Sequence, residues 1–442
     1  MRTWIKDPLA IFADGAERGV VVEGTRIAER VGRAATPERI DATFDASRHV
    51  VLPGLVNAHH HFYQTLTRAH PQAINKQLFA WLVALYPIWA RLKPNHLRLA
   101  SRLALTELML SGCTTAADHH YIYPPGLENA VDIEVEEART LGMRMTVSRG
   151  SMNLSEKDGG LPPDNVVQDE ETILADSERV LKLFHDPTPG AQIRVALAPC
   201  SPFSISKDLM SATARLAEHH DCQLHTHLCE TADEERFCIK MYGLRPVDLL
   251  EETGWMSSRV WLAHGVHFNA EEIVRLGKAK VGICHCAASN MVLASGICPT
   301  CELEAAGSPL GLGVDGSASN DSSNMMEALR HALMIGRLRY GADKVTHRDV
   351  LRWATEGSAR CLGRADIARI AGGYEADLAL FKLDEPRFSG AHDPLAALVL
   401  CGAHRADRVM MGGEWRVVDG EPVGLDLDRL IAKHKRAALD FA

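Results

Sequence analysis

The chain has 442 residues, 46% of them hydrophobic, and 48 Lys and Arg against 57 Asp and Glu give a formal charge of −9. An acidic chain of this kind is not built to bind nucleic acid or an anionic membrane. With no apolar run long enough to cross a bilayer, and no signal-peptide core in Met1-Arg2-Thr3-Trp4-Ile5-Lys6-Asp7, it is expected in the cytoplasm.

Residues 1 to about 50 carry short alternating runs broken by turn residues, at 10–13, 19–24 and 25–28, which predict antiparallel strands. The apolar, β-branched run from Val50 through Pro53-Gly54-Leu55-Val56-Asn57 to His59-His60-His61 then predicts one buried strand with histidines at its carboxyl end. On a strand, residues i and i+2 face alike, so His59 and His61 aim at one point while His60 turns away. That geometry suits a divalent metal, zinc most readily.

The middle of the chain alternates strand and helix. Strands are predicted over 114–118, 143–147, 193–197, 223–227, 260–264, 280–284 and 310–315, and helices over stretches such as 97–110, 132–141, 172–184 and 208–218. With the opening strand that makes eight βα units, the pattern of a (β/α)8 barrel whose active site lies at the carboxyl ends of its strands. A doubly wound sheet is disfavoured because the first turn lacks a Gly-rich phosphate loop. The runs 377–381, 408–413 and 415–420 return to the texture of the N-terminus. The fold class expected is therefore α/β: a (β/α)8 TIM barrel over 53–367 with a small β-sandwich domain built from both termini, 1–52 and 368–442, the latter including a C-terminal helix.

The eleven cysteines, an odd number without framework spacing, are read as reduced thiols. Cys284-x-Cys286 and Cys298-x-x-Cys301 hint at a four-thiolate zinc site, but their uneven spacing and placement argue against it.

The strand ends carry the chemistry. The fifth strand ends His225-Thr226-His227-Leu228-Cys229-Glu230, the sixth ends in His264 and the eighth in Asp315. Three imidazoles and a carboxylate at one mouth make a site for a single divalent ion with a position left open for water. His227, the last strand residue with Glu230 three positions on, is chosen over His225, which is read as a plain buried histidine. Each residue has an ordinary reading: Asp315 as a turn former, Glu230 as a solvated carboxylate, His264 as a satisfied core histidine. Jointly these readings fail, because chance rarely places such residues at the ends of strands one, five, six and eight.

Pro53-Gly54-Leu55-Val56-Asn57-Ala58-His59-His60-His61, His227-x-x-Glu230, Ala263-His264-Gly265 and Gly313-Val314-Asp315-Gly316-Ser317-Ala318-Ser319-Asn320 together resemble the amidohydrolase superfamily. The resemblance spans nearly the whole chain and is to the mononuclear branch of aminohydrolases acting on purines, pyrimidines and s-triazines. Within it the chain is most similar to enzymes that deaminate 8-oxoguanine, and also to triazine hydrolases. The resemblance implies metal ligation by His59, His61, His227 and Asp315, with zinc as the metal and ferrous iron as the alternative. It implies proton chemistry by Glu230, His264 and Asp315, and a homodimer. The fourth strand ends Ala196-Leu197-Ala198-Pro199-Cys200 with no lysine before Lys207, so the carboxylated lysine of dinuclear relatives is missing and one metal is expected.

The reaction so implied is hydrolytic deamination of an amino-substituted nitrogen heterocycle, 8-oxoguanine to urate and ammonia, with an s-triazine hydrolase or a guanine or pyrimidine deaminase as alternatives. Zinc lowers the pKa of bound water to about 7. Asp315 and His264 orient and deprotonate that water, and Glu230 protonates the ring nitrogen beside the attacked carbon, which requires burial to raise its pKa. Substrate contacts are expected from Gln64, which can donate and accept in one plane, from Trp81 as a ring-sized wall, and from Asp118 at the end of strand two. A further donor for an exocyclic oxygen is expected in the loop after strand two or three. A redox metalloprotein and a non-catalytic scaffold are the competing classes; the intact ligand set and Glu230 argue against the scaffold.

Overall fold

The apolar run that leads to the histidines is two strands, not the single one expected. In the computed structural model, which describes residues 1–441, it breaks at Gly54: His49–Pro53 joins one sheet and Leu55–Asn57 another. The break requires glycine, since a Cβ there would fall 2.0 Å from Thr114 Oγ1, and the Gly54 N–H donates to the Asp377 carbonyl at 2.8 Å. His59 and His61 thus lie in the loop just beyond the strand.

Eight parallel strands form the barrel: β1 (Leu55–Asn57), β2 (Cys113–His120), β3 (Arg144–Ser151), β4 (Ile193–Pro199), β5 (Gln223–Leu228), β6 (Val260–His264), β7 (Gly282–His285) and β8 (Leu310–Leu312). Neighbours in this order pair in parallel. The ring closes where the Ala58 N–H donates to the Leu312 carbonyl and the Asp315 N–H to the His59 carbonyl, each at 3.0 Å. Both faces of each strand are buried, so the strands read as continuous apolar runs. Val56, Ala117, Ala196 and Ala263 fill the interior around Trp261, while residues such as Leu55, Met145 and Val195 pack outward against the helices. The expected strands fall within a few residues of these; β3 runs four residues past its expected end, and β8 stops three residues before Asp315. Three helices of the surrounding layer concern the site: α1 (Leu78–Trp89), α2 (Pro94–Leu110) and α3 (Ala130–Leu141).

Two further sheets come from the ends of the chain. One holds 2–6, 19–23, 26–30 and 42–45; the other orders 421–422, 414–418, 408–411, 378–382, 49–53 and 10–11. Their facing side chains interdigitate: Ile5, Val20, Val22 and Ile27 meet Val51, Leu378, Leu380 and Met410 in one buried cluster. The helix Leu427–Phe441 does not accompany these sheets as expected. It packs on α2 and on the turn Phe62–Thr67, where His434 Nε2 lies 3.0 Å from Thr65 Oγ1. All eleven cysteines are free, and among the described residues no helix is long and apolar enough to cross a membrane.

Candidate metal centre and active site

The barrel's closure brings the polar residues of β1, β5, β6 and β8 to one mouth. His61 Nδ1 donates to the His119 carbonyl at 2.8 Å, and His227 Nδ1 to the Cys200 carbonyl at 2.6 Å. Burial lowers the pKa of both imidazoles, so each keeps one proton, and those bonds place it on Nδ1. Their bare Nε2 atoms then face each other at 3.1 Å. His59 completes the trio by the same logic. His225 Nδ1 donates to the Trp261 carbonyl at 2.8 Å, so its Nε2 is an acceptor, and His59 Nδ1, 2.8 Å away, must be the donor. His59 Nε2 is left without a hydrogen-bond partner and fully buried.

Three lone pairs converging in a dry site repel one another unless a cation lies between them. Asp315 supplies the balancing charge: its Oδ1 is 3.3 Å from His59 Nε2 and 3.4 Å from His61 Nε2. Burial acts to raise the Asp315 pKa, but the imidazoles of His59, His264 and His61 outweigh it and hold the carboxyl well below the usual range. Three neutral imidazole nitrogens and one carboxylate are a donor set that fits a divalent metal ion. Cys286 also comes within 4.8 Å of the facing atoms of His59, His264 and Asp315. Its thiol instead donates to the Cys284 carbonyl at 3.6 Å, and burial keeps it protonated.

His264 and Glu230 stand beside that set. His264 Nδ1 donates to Asn290 Oδ1 at 2.9 Å, which aims Nε2 at Glu230 Oε2, 3.5 Å away, and at Asp315 Oδ2, 3.8 Å away. Burial lowers the His264 pKa, but the carboxyl groups of Glu230 and Asp315 more than reverse that and raise it above its ordinary value. Burial pushes Glu230 up to about 7 against the pull of His264. The backbone is strained at these positions: Cys229, His264 and Asp315 have φ of 53°, 72° and 67°. Each such residue costs on the order of 1–3 kcal/mol, and such strain persists where the surrounding structure demands it.

The mouth opens into a cavity whose lining includes His61, His227, Glu230, His264 and Asp315. Gln64 and Trp81 line it as well. Trp81 donates from Nε1 to the Ala318 carbonyl at 3.1 Å, and Gln64 Oε1 accepts the Ala318 N–H at 3.3 Å. Asp118 is not brought there, contrary to expectation. β2 runs on to His120, so Ala117 and His119 face the barrel interior while Asp118 turns outward and accepts the Phe62 N–H at 2.6 Å. His225 is likewise more than a packed histidine, because it sets the protonation of His59. Sequence reasoning did not pick out Tyr121, the first residue after β2, or Tyr86 on α1. Both line the cavity, and the Tyr86 hydroxyl meets only Met152 Sδ at 3.9 Å. His119, to which the sequence assigned no role, orients His61 through its carbonyl. A position just past a strand end was the available signal for Tyr121.

Residues 50–416 match the Amidohydrolase family. An 8-oxoguanine deaminase of Pseudomonas aeruginosa is 63% identical over 441 residues, covering 99% of this chain and 98% of the relative. A hydroxydechloroatrazine ethylaminohydrolase of a Pseudomonas species is 37% identical over 386 residues, covering 85% and 79%. Among solved structures, atrazine chlorohydrolase from Arthrobacter aurescens TC1 complexed with zinc superposes with a TM-score of 0.93 at 32% identity, covering 99% of this chain and 100% of that one.

Proposed function

The chain belongs to the amidohydrolase family, and on that premise we propose that it hydrolyses 8-oxoguanine to urate and ammonia with one zinc ion held by His59, His61, His227 and Asp315. The observation that carries the substrate is the near full-length similarity to an 8-oxoguanine deaminase. What supports the ligand set is the convergence of bare imidazole nitrogens on the Asp315 carboxylate.

When bound, the divalent ion supplies a Lewis acid that brings the pKa of water down to about 7. The chain's own groups do the rest. Asp315, held ionised, accepts the proton of the attacking water through the oxygen that faces His264. His264, held protonated beside the ionised Asp315, acts as a donor: Nε2 orients the water and steadies the oxygen as charge grows on it. Glu230, poised near 7, carries a proton at neutrality and gives it to the ring nitrogen beside C2 of the purine. That protonation relieves the charge that attack at C2 drives into the ring. As the tetrahedral carbon collapses, the proton taken by Asp315 goes to the departing amine and the hydroxyl proton left on C2 returns to Glu230, so water and 8-oxoguanine leave as urate and ammonia with both carboxyl groups restored. Gln64 meets a polar edge of the heterocycle, and Trp81 walls its face.

The test is stoichiometric. Purified holoenzyme given 8-oxoguanine should release one ammonia for each urate formed. No urate from 8-oxoguanine, together with turnover of a chlorinated or alkylamino triazine, would transfer the assignment to a triazine hydrolase.

A further inference from the structure

Outside the barrel, between β2 and α3, lies a second buried cluster that the reaction does not use. Asp118 and His120 point outward from β2, and Glu134 comes from α3 to meet them; none is more than 1% exposed. One potential ligand atom from each lies within 4.8 Å of the other two. His120 donates from Nε2 to the Ile122 carbonyl at 2.7 Å, so its Nδ1 is a bare lone pair, 3.4 Å from Glu134 Oε1. Asp118 Oδ2, both Glu134 oxygens and His120 Nδ1 have no hydrogen-bond partner. Four acceptors facing one another without a donor are strongly unfavourable in a dry interior. A proton held on the carboxyl pair and shared between Glu134 and Asp118 Oδ2 removes the conflict.

The cluster grips the loop that carries His61. Asp118 Oδ1 accepts the Phe62 N–H at 2.6 Å, the His119 carbonyl accepts His61 Nδ1–H at 2.8 Å, and the His119 N–H donates to the His60 carbonyl at 2.8 Å. Two residues of β2 therefore hold residues 60–62 at three points. We propose that Glu134 is a positioning residue: the proton it shares with Asp118 holds Asp118 under Phe62 and thereby fixes His61 for the metal. This rests on reading His61 as a metal ligand. Burial supports it by pushing Glu134 up to about 8 and raising Asp118 as well. The other groups facing the cluster are Arg149 from β3, whose guanidinium stacks 4.0 Å over the Tyr123 ring and pairs with Asp176 at 2.8 Å, and the Tyr123 and Tyr63 rings, 5.1 Å and 5.5 Å from His120.

Metal loss from holoenzyme to a chelator, followed at pH about 7 and about 9.5, tests the proposal without substrate. The wild type should lose metal faster above pH about 8, as Glu134 ionises. In Glu134→Gln the amide NH2 replaces the acid proton, so loss at pH about 7 should stay within about threefold of wild type and the alkaline acceleration should vanish. Glu134→Leu leaves Asp118 Oδ2 without its partner and should shed metal at least about tenfold faster at pH about 7. If that variant does not fold, the alkaline behaviour of Glu134→Gln decides alone. The proposal is overturned if Glu134→Gln keeps the alkaline acceleration or sheds metal as fast as the leucine variant. It is also overturned if all three proteins behave alike, or if wild type holds a second metal equivalent that Glu134→Gln lacks. An error in the ligand reading shows separately, as metal retained by His61→Ala.

Discussion

His59 Nδ1 lies 2.8 Å from His225 Nε2, and because His225 spends its own Nδ1 proton on the Trp261 carbonyl, this contact decides which nitrogen of His59 carries the proton and leaves Nε2 bare toward Asp315. Replacing His225 with leucine removes the acceptor and frees His59 to protonate Nε2. Metal affinity should fall about 10–100-fold while the fold survives, since such supporting partners are worth that much to a ligand. Metal titration followed by calorimetry measures it; unchanged affinity would mean that His59 needs no partner.

The ligand set makes a compositional prediction. Elemental analysis of purified enzyme should find one divalent ion per chain, and His61→Ala should lose both metal and activity. Active enzyme with no metal, or with two ions per chain, contradicts the assignment.

Glu230 is assigned to proton transfer, not to metal binding. Glu230→Gln should keep the metal and the fold and lose at least ~100-fold in kcat. The sign of the pH dependence follows from burial, which raises Glu230 to about 7. The required form is the acid, so kcat/KM should hold below that pH and fall about tenfold per unit above it, and the glutamine variant should lack this limb. Metal loss in the glutamine variant would place Glu230 among the ligands.

Gly316 sets the position of Gln64. A Cβ at Gly316 would fall 1.9 Å from Gln64 Oε1, so Gly316→Ala must displace the amide and break its contact with the Ala318 N–H. KM should rise about tenfold, the scale of one neutral hydrogen bond, with metal content unchanged. An unaltered KM would remove Gln64 from the substrate contacts.

The barrel was legible because each strand is buried on both faces and so reads as an unbroken apolar run, and because His59, His61, His227, His264 and Asp315 interrupt or end such runs. The split at Gly54 was not, since the crowding that forces it comes from Thr114, sixty residues away. Nor could spacing separate the roles of His225 and His227, which share a strand face; the difference lies in the carbonyls each meets, of Trp261 and Cys200. Asp118 was misplaced for a related reason. The alternation along β2 continues two residues past it, and that parity, set by pairing with β3 through His120, turns Asp118 away from the mouth. Tyr86 reaches the cavity from a helix whose placement depends on tertiary packing.

The central claim is the choice of heterocycle, and steady-state kinetics on one preparation test it most directly. kcat/KM for 8-oxoguanine should exceed that for guanine and for any chlorinated or alkylamino triazine. A triazine with the higher value would contradict it, and guanine turned over equally well would make the enzyme a general purine deaminase.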